Sequence, residues 1–504
     1  MKTKKYKYLL FAIAMVATVI SCSDEYLDVE PKGVFLSGNY YANQEQAFSG
    51  LVAVYDVMRK NSGGFENMVT MFNAGSDDFY AGGGNSTDGA GIQSFSNYSL
   101  NPIDMPLSFW SDHYQGIYRA NILLLRLPDA SMDESLKTRY AAETKALRAN
   151  YYFNLVRMFG NIPLILEPIS SSEMYNVTQS SKEDVYKQIE DDLKAAITDL
   201  PATLNLANEA GRFTKGAAQA LLGKVYLYQN KNAMAAEQLA QVNGTPGQTS
   251  QYGYKLLEDF NDLWVVDNKF NTEAVLEVAH TNVGLSGWGN WGSGSDEGNT
   301  INTMVGPRSY VKVTANAPDL PSGWSFNPVL PELYDLLKND PRFGATILDM
   351  KALKEAGDAD YIGGYQDTGY FLNKFTPTKA VEHTGAGDAI LNYRQNSYAI
   401  RLADTYLMEA EALLGTDINR AQALLNAVRA RVGLPSIPVT MNAIMAERRL
   451  ELAGEGHRWF DLVRTGQAAT KLSSRGFVAG KHEILPIPYK ELENTKLVQN
   501  PNYN

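Results

Sequence analysis

The sequence predicts a mainly α-helical fold: one domain of tetratricopeptide-like helix pairs, with long irregular loop insertions and few short strands. Three observations carry this. Apolar residues recur at helical spacing through most of the chain. The periodic segments end on caps and breakers and follow one another across turns of a few residues. Two stretches, about 73–101 and 282–396, lose the period and fill with Gly, Asn and Ser, the second with Trp as well. The helical scaffold then covers about 40–60, 105–260 and 398–504. No linker composition separates two cores, so residues 22–504 read as one domain with insertions.

In chain order, Gln44–Lys60 places Ala47, Leu51, Val54, Tyr55 and Met58 on one face. Trp110 begins a helix with Ile117 and Leu124 and reads as core. Leu136–Met158 repeats Leu136, Tyr140, Leu147, Tyr151, Leu155 and Met158 on one stripe. Ser181 to Asp184 is an acidic capping box; it opens a helix with Val185, Ile189, Leu193 and Ile197, and Pro201 ends it. Thr214 can cap Ala217–Gln229. Arg401–Leu414 and Ile418–Arg431 form a pair across Gly415-Thr416-Asp417, and Ala443–Ala453 is stopped by Gly454 and Gly456. Such pairs resemble tetratricopeptide repeats, but with an irregular period. Inside the second insertion only Leu330–Leu337 keeps clear helical spacing. Strands are predicted at Ala274–Thr281 and Glu483–Pro488.

The single cysteine is Cys22. Lys2, Lys4, Lys5 and Lys7 precede an apolar run of 13 residues, Tyr8–Ile20. That is short of the roughly 20 a spanning helix needs and suits a signal peptide over residues 1–21. Val19-Ile20-Ser21-Cys22 resembles a bacterial lipobox, which makes Cys22 the acylated first residue. Ordinary secretory cleavage is the alternative, and it leaves Cys22 without a role. A lipidated Cys22 leaves no thiol for a disulfide, a zinc site or a nucleophile. The formal net charge is −11, and residues 1–21 contribute four lysines and no acid. Such a chain, without basic blocks, is a poor match for nucleic acid.

Gly287-Trp288-Gly289-Asn290-Trp291-Gly292 has the letters of a dinucleotide fingerprint, but no helix follows to meet a pyrophosphate. Indoles flanked by glycine instead suit stacking on the C–H face of a pyranose, on the order of 1–2 kcal/mol per ring. Trp288 and Trp291 are the main candidates and Trp324, in "PSGWSFNP", a weaker one; burial as plugs of the body is the alternative. Asn, Asp and Arg offer planar partners for sugar hydroxyls, so Asn85, Asn290 and Arg308 join the candidates. Ser76-Asp77-Asp78-Phe79-Tyr80 sets two acids beside two aromatics. Asp77, Asp78 and Tyr80 can bind hydroxyls, the acids can hold a calcium ion, or the stretch is a turn with capping acids. No other cofactor is expected, and no His-Glu-x-x-His zinc spacing occurs. The dense charge of Glu447–Gly466, with His457, reads as a structural salt-bridge network. Trp459 reads as core and Trp264 stays undecided.

"ETKALRANYYFNLVRMFGNIPLI" (143–165), "GRFTKGAAQALLGKVYLYQNK" (211–231), "YAIRLADTYLMEAEAL" (398–413), "ERRLELAGEGHRWFDLVRTG" (447–466) and "EILPIPYKELENTKLVQNPNY" (483–503) follow the lipobox in order. Together they resemble the SusD/RagB family of surface glycan-binding lipoproteins. The resemblance implies a tetratricopeptide-like α domain, lipid-anchored at the outer-membrane surface of the cell. It implies a SusC-like TonB-dependent barrel as partner, with this chain as its lid, and oligosaccharide binding without cleavage. The matching motifs are scaffold, so no binding residue carries over. A surface glycoside hydrolase, which needs two carboxyls across a sugar bond, is one alternative; a binder of peptide or another nutrient is a second.

Overall fold

The computed structural model describes residues 41–289, 291, 297–383 and 385–503. The segment with the signal peptide and Cys22, and Asn290, lie outside the described residues. The first half is a run of helices: α1 (Gln44–Asp56), α2 (Met68–Ala74), α3 (Ala90–Ser96), α4 (Ser108–Arg126), α5 (Glu134–Phe159), α6 (Lys182–Asp199), α7 (Lys215–Tyr228) and α8 (Asn232–Asn243). Successive helices pack as neighbours, α4 on α5, α5 on α6 and α7 on α8. Residues 216–227 of α7 are all buried, which makes it the centre of the bundle.

The expected N-caps form, although the Ser181 box lacks its reciprocal half, since Asp184 Oδ2 accepts from Ser181 Oγ and not from Ser181 N. Ser181 Oγ accepts from Asp184 N at 3.1 Å, and Thr214 Oγ1 accepts from Ala217 N at 3.0 Å. Each removes an unpaired donor from a helix start. Within the second insertion lie only short helices, among them α9 (Ile301–Val305) and α10 (Pro331–Leu337). The chain closes with α11 (Leu402–Ala412), α12 (Ile418–Arg431), α13 (Met441–Glu451) and α14 (Arg458–Arg464). α11 packs on both α8 and α12, so it joins the two halves of the body.

The strands are β1 (Ala274–Val278), β2 (Val311–Lys312), β3 (Ile347–Asp349), β4 (Ala359–Asp360), β5 (Tyr370–Leu372) and β6 (Ser397–Arg401). They form three antiparallel pairs, β1 with β6, β2 with β4 and β3 with β5. The strand expected over Glu483–Pro488 does not form. Pro486 and Pro488 remove two backbone donors. Leu485 N instead donates to Met158 O at the end of α5 (2.7 Å), and the Gln499 side chain satisfies both backbone groups of Ile487. The stretch 73–101 is also less irregular than expected, since α3 occupies part of it.

Trp459 and Trp110 are core, as their helical settings predict. Trp459 is fully buried against Phe72, Phe95 and Phe460. Trp264 is half-buried, with rings of Phe260, Phe375 and Tyr398 around it and Lys374 Nζ 4.6 Å from its centroid. It is structural.

The charged segment after residue 447 is buried and fully paired. Glu451 accepts from Arg401 Nη1 (2.6 Å), Arg342 Nη1 (3.0 Å) and Arg431 Nη2. Glu447 accepts from Arg342 (2.6 Å) and Arg429 (2.7 Å), and Glu455 from Arg401 (2.9 Å) and Lys374 (2.8 Å). Burial alone raises the Glu451 carboxyl, but Arg431, Arg401 and Arg342 together hold it well below the usual range. Removing one member strands its partners as buried charges, at about 3–5 kcal/mol. Glu451→Gln should therefore lower stability by that order, read as a drop in the urea midpoint; an unchanged midpoint would show that the cluster is not structural.

Buried histidines give the stability a pH dependence. Burial pulls His113, His280 and His457 down to about 4, while an unfolded histidine titrates near about 6.5. Between these values the unfolded chain binds more protons, so stability is full above the upper value and is lost as pH falls toward the lower. Glu277 opposes this, because burial raises its carboxyl to about 7. Burial also pulls His482 down to about 4 and raises Asp78, Glu409 and Glu491; the four histidines, displaced across the whole interval, outweigh the carboxyls, so the melting temperature should fall between neutral pH and about pH 5. A rise over that interval would contradict the assignment.

Candidate functional site

Two loop-rich regions, distant in sequence, meet as a paired strand-like seam. Tyr80 N donates to Pro328 O (3.1 Å), Asn327 N to Ala81 O (3.0 Å) and Gly83 N to Ser325 O (2.8 Å). Gly82 sits at φ +71°, and a Cβ there would lie 2.3 Å from Ser325 O. The glycine run is needed because backbone meets backbone at that point. Ser325 and Asn327 also have positive φ, 62° and 50°, on either side of Phe326. Non-glycine residues hold such angles only where the surroundings fix them. Here Arg308 N donates to Ser325 Oγ (3.0 Å), and Asn327 Nδ2 donates to Thr70 O (3.2 Å).

The seam carries an aromatic platform. Phe326 is buried and meets Phe65 edge-on, with centroids 5.3 Å apart. Phe65 in turn contacts Trp291 at 6.0 Å and Trp324 at 6.2 Å. Trp288 lies 5.8 Å from each of Trp291 and Trp324, inclined by only 30° to Trp324. Burial falls along this series, and Trp288 is 58% exposed. The outer turn is pinned as well: Trp288 N donates to Asp388 Oδ2 (3.1 Å) and Trp291 N to Gly287 O (2.9 Å).

A polar rim lies on the Trp324 side. Arg308 Nη2 donates to Trp324 O (3.3 Å) and sits 3.6 Å from Asp88 Oδ2. That same carboxylate oxygen accepts from Gly84 N at 2.7 Å. Asn85, on the same turn, is exposed, and its Oδ1 accepts from Thr87 N and Oγ1. The guanidinium of Arg308 is thus a planar donor beside Trp324, and Asn85 lies on the turn that adjoins it. This arrangement suits a ring with apolar faces and equatorial hydroxyls.

The structure therefore brings together Trp288, Trp291 and Trp324, with Arg308 and Asn85 at the rim. It does not bring Asp77, Asp78 or Tyr80 there. Arg458 Nε and Nη2 donate to the two oxygens of Asp77 (2.7 and 2.8 Å), and Arg449 Nε donates to Asp78 Oδ1 (2.7 Å). Burial alone raises Asp77, but Arg458 and Arg449 hold it below the carboxylate range; Asp78, fully buried, is raised by burial. These acids root the first loop on α13 and α14: Arg458 holds both oxygens of Asp77 and Arg449 holds Oδ1 of Asp78. Tyr80 sits at the same root, 5.8 Å from the Arg475 guanidinium. Among the described residues no group of three or more His, Cys, Asp or Glu could hold a metal ion. Phe65, Asp88 and Asp388 escape sequence reasoning. Phe65 alone left a signal, a ring just after Gly63-Gly64.

A sequence profile described as "SusD family" matches residues 332–503, and one described as "Starch-binding associating with outer membrane" matches residues 25–227. A solved structure titled "Laminarin binding SusD-like protein" is 67% identical and superposes with a TM-score of 0.90, over 92% of this chain and 100% of that one. The chain belongs to the SusD/RagB family. A further solved structure is similar at 27% identity and TM-score 0.81, over 91% of this chain and 99% of that chain: surface glycan-binding protein A from Bacteroides thetaiotaomicron in complex with laminarihexaose. SusD-like protein P25 of Formosa agariphila is 25% identical over 97% of each chain.

In this SusD-family member the seam should be essential to the platform. Gly82→Ala forces a Cβ onto Ser325 O at a φ that L-residues avoid. Tryptophan emission should shift to the red as the half-buried Trp291 and Trp324 gain water contact. An emission maximum identical to wild type would mean that the seam does not hold the indoles.

Proposed function

We propose that this protein captures a β-1,3-linked glucan of the laminarin type at the cell surface, on the indoles of Trp288, Trp291 and Trp324. The observation that carries the reading is the clustering of these rings beside Arg308, on Phe65 from more than 200 positions earlier in the chain. Supporting the choice of glucan are a relative at 67% identity titled laminarin binding and another in complex with laminarihexaose. The ring faces exclude water from the sugar, and the rim donors orient its hydroxyls.

The protein holds the glucan without cleaving it. Hydrolysis needs two carboxyls free to act across one bond. Asp88 faces Arg308, Asp388 accepts from the Trp288 backbone, and Asp77 and Asp78 are locked on arginines. We further assign acylation to Cys22 and delivery to a SusC-like TonB-dependent barrel, over which the chain acts as lid. The profile description "associating with outer membrane" supports this placement.

Calorimetry with an oligosaccharide panel tests the reading. Trp288→Ala should weaken laminarihexaose binding by roughly 5- to 30-fold, the value of one stacked ring. Unchanged affinity in both Trp288→Ala and Trp291→Ala would remove the platform. In cells given a labelled fatty acid, Cys22→Ser should abolish label incorporation and surface retention; a labelled Cys22→Ser chain would contradict the anchor.

A further inference from the structure

The three indole centroids lie within 5.8 Å of one another. A patch that small meets only a short stretch of a polymer. Phe65, which supports the platform, also lines a second surface cleft of about 420 Å³, a size ordinary for small-ligand sites. The cleft runs from Gly89 and the start of α3 to the loop at Pro102–Pro106 and to Tyr489. It begins one residue beyond Asp88, the rim acid facing Arg308. Gly89 makes the join close: a Cβ there would lie 2.9 Å from the Phe65 ring.

The lining of this cleft repeats the chemistry of the platform. Ile103 is 81% exposed and Tyr489 52% exposed, which is costly for large apolar groups that cluster without a partner. Tyr489 is held in place through its backbone, whose N–H donates to Pro102 O at 2.8 Å. Two carboxylates stand among these apolar faces. Glu66 Oε2 accepts from Ser108 Oγ (2.6 Å), and Asp104 Oδ2 accepts from Asn101 Nδ2 (2.6 Å). An apolar ring face, an aliphatic wall, two carboxylates and the Lys490 ammonium suit a polyhydroxylated chain, whose hydroxyls both donate and accept.

We propose that the cleft between α3, the Pro102–Pro106 loop and Tyr489 is an extension subsite, which takes the sugar units that overhang the indole platform. This rests on the glucan reading above. The subsite makes affinity depend on chain length, so that the protein selects polymer over its shortest fragments.

Titration of laminaribiose, laminaritriose, laminarihexaose and laminarin into the full mature protein tests the proposal. Wild type should gain affinity with length. Tyr489→Ala and Ile103→Ala, both at exposed positions, should each lose on the order of five-fold for the hexaose and the polymer, the value of one lost stacking contact. Their affinity for the two shortest sugars should be unchanged. Equal losses at every length, or no loss at any, would overturn the subsite. Length-independent wild-type binding would overturn the subsite while leaving the platform standing. Absence of binding by wild type to every member would overturn the glucan reading and the subsite with it. Coincident melting curves for the variants exclude a folding defect as the cause.

Discussion

The structure depends on one buried ionic segment, Glu447–Arg458. Its carboxylates reach one way: Glu447 and Glu451 hold Arg342, from the second loop-rich region, and Glu455 holds Lys374 and Arg401. Two of its arginines reach the other way, Arg449 and Arg458 holding Asp78 and Asp77 at the root of the first, while Arg448 holds Asp404 and Asp461 within the helical body. Asn73 adds neutral bonds to the same segment, donating to Gly454 O and accepting from Gly456 N. A buried ion pair adds little net stability over a well-packed apolar pair, but a broken one is costly. The segment therefore acts mainly on register. It fixes where two irregular loops leave the helical body, and so where their far ends meet.

What meets there is a set of rings that packing alone would not hold. Glycine-flanked indoles have few neighbours of their own. They are kept in place by backbone bonds across the seam and by a chain of ring contacts down to the buried Phe326. Ordering the rings before the ligand arrives removes a cost that binding otherwise carries. Loops that bind on a rigid scaffold are a general solution, and here the rigidity extends through the loops themselves.

Most of the helical body was legible in the sequence, because helical spacing and side-chain caps are local signals. Ile418–Arg431 forms over the expected residues, and Ser181 and Thr214 cap as expected. Glu483–Pro488 misled because a short run rich in isoleucine and leucine looks like a strand even where proline removes the ladder donors. The indoles were legible as a group through their glycine neighbours, although nothing local said that Trp324 joins Trp288 and Trp291. Asp77 and Asp78 stayed open between a binding role and a turn for the opposite reason. Their arginines lie more than 370 positions away, and an acid pair beside aromatic residues carries no local mark that separates a sugar contact from a structural root.

A pair of crystal structures, one of the free protein and one with laminarihexaose, tests the central claim most directly. The account predicts a sugar ring in van der Waals contact with the Trp288 and Trp324 faces, and no change in the seam at Gly82–Gly83 or in the ring arrangement between the two states. A glucan bound away from these indoles, or indoles that come together only when it binds, would contradict a platform built in advance by its rooted loops.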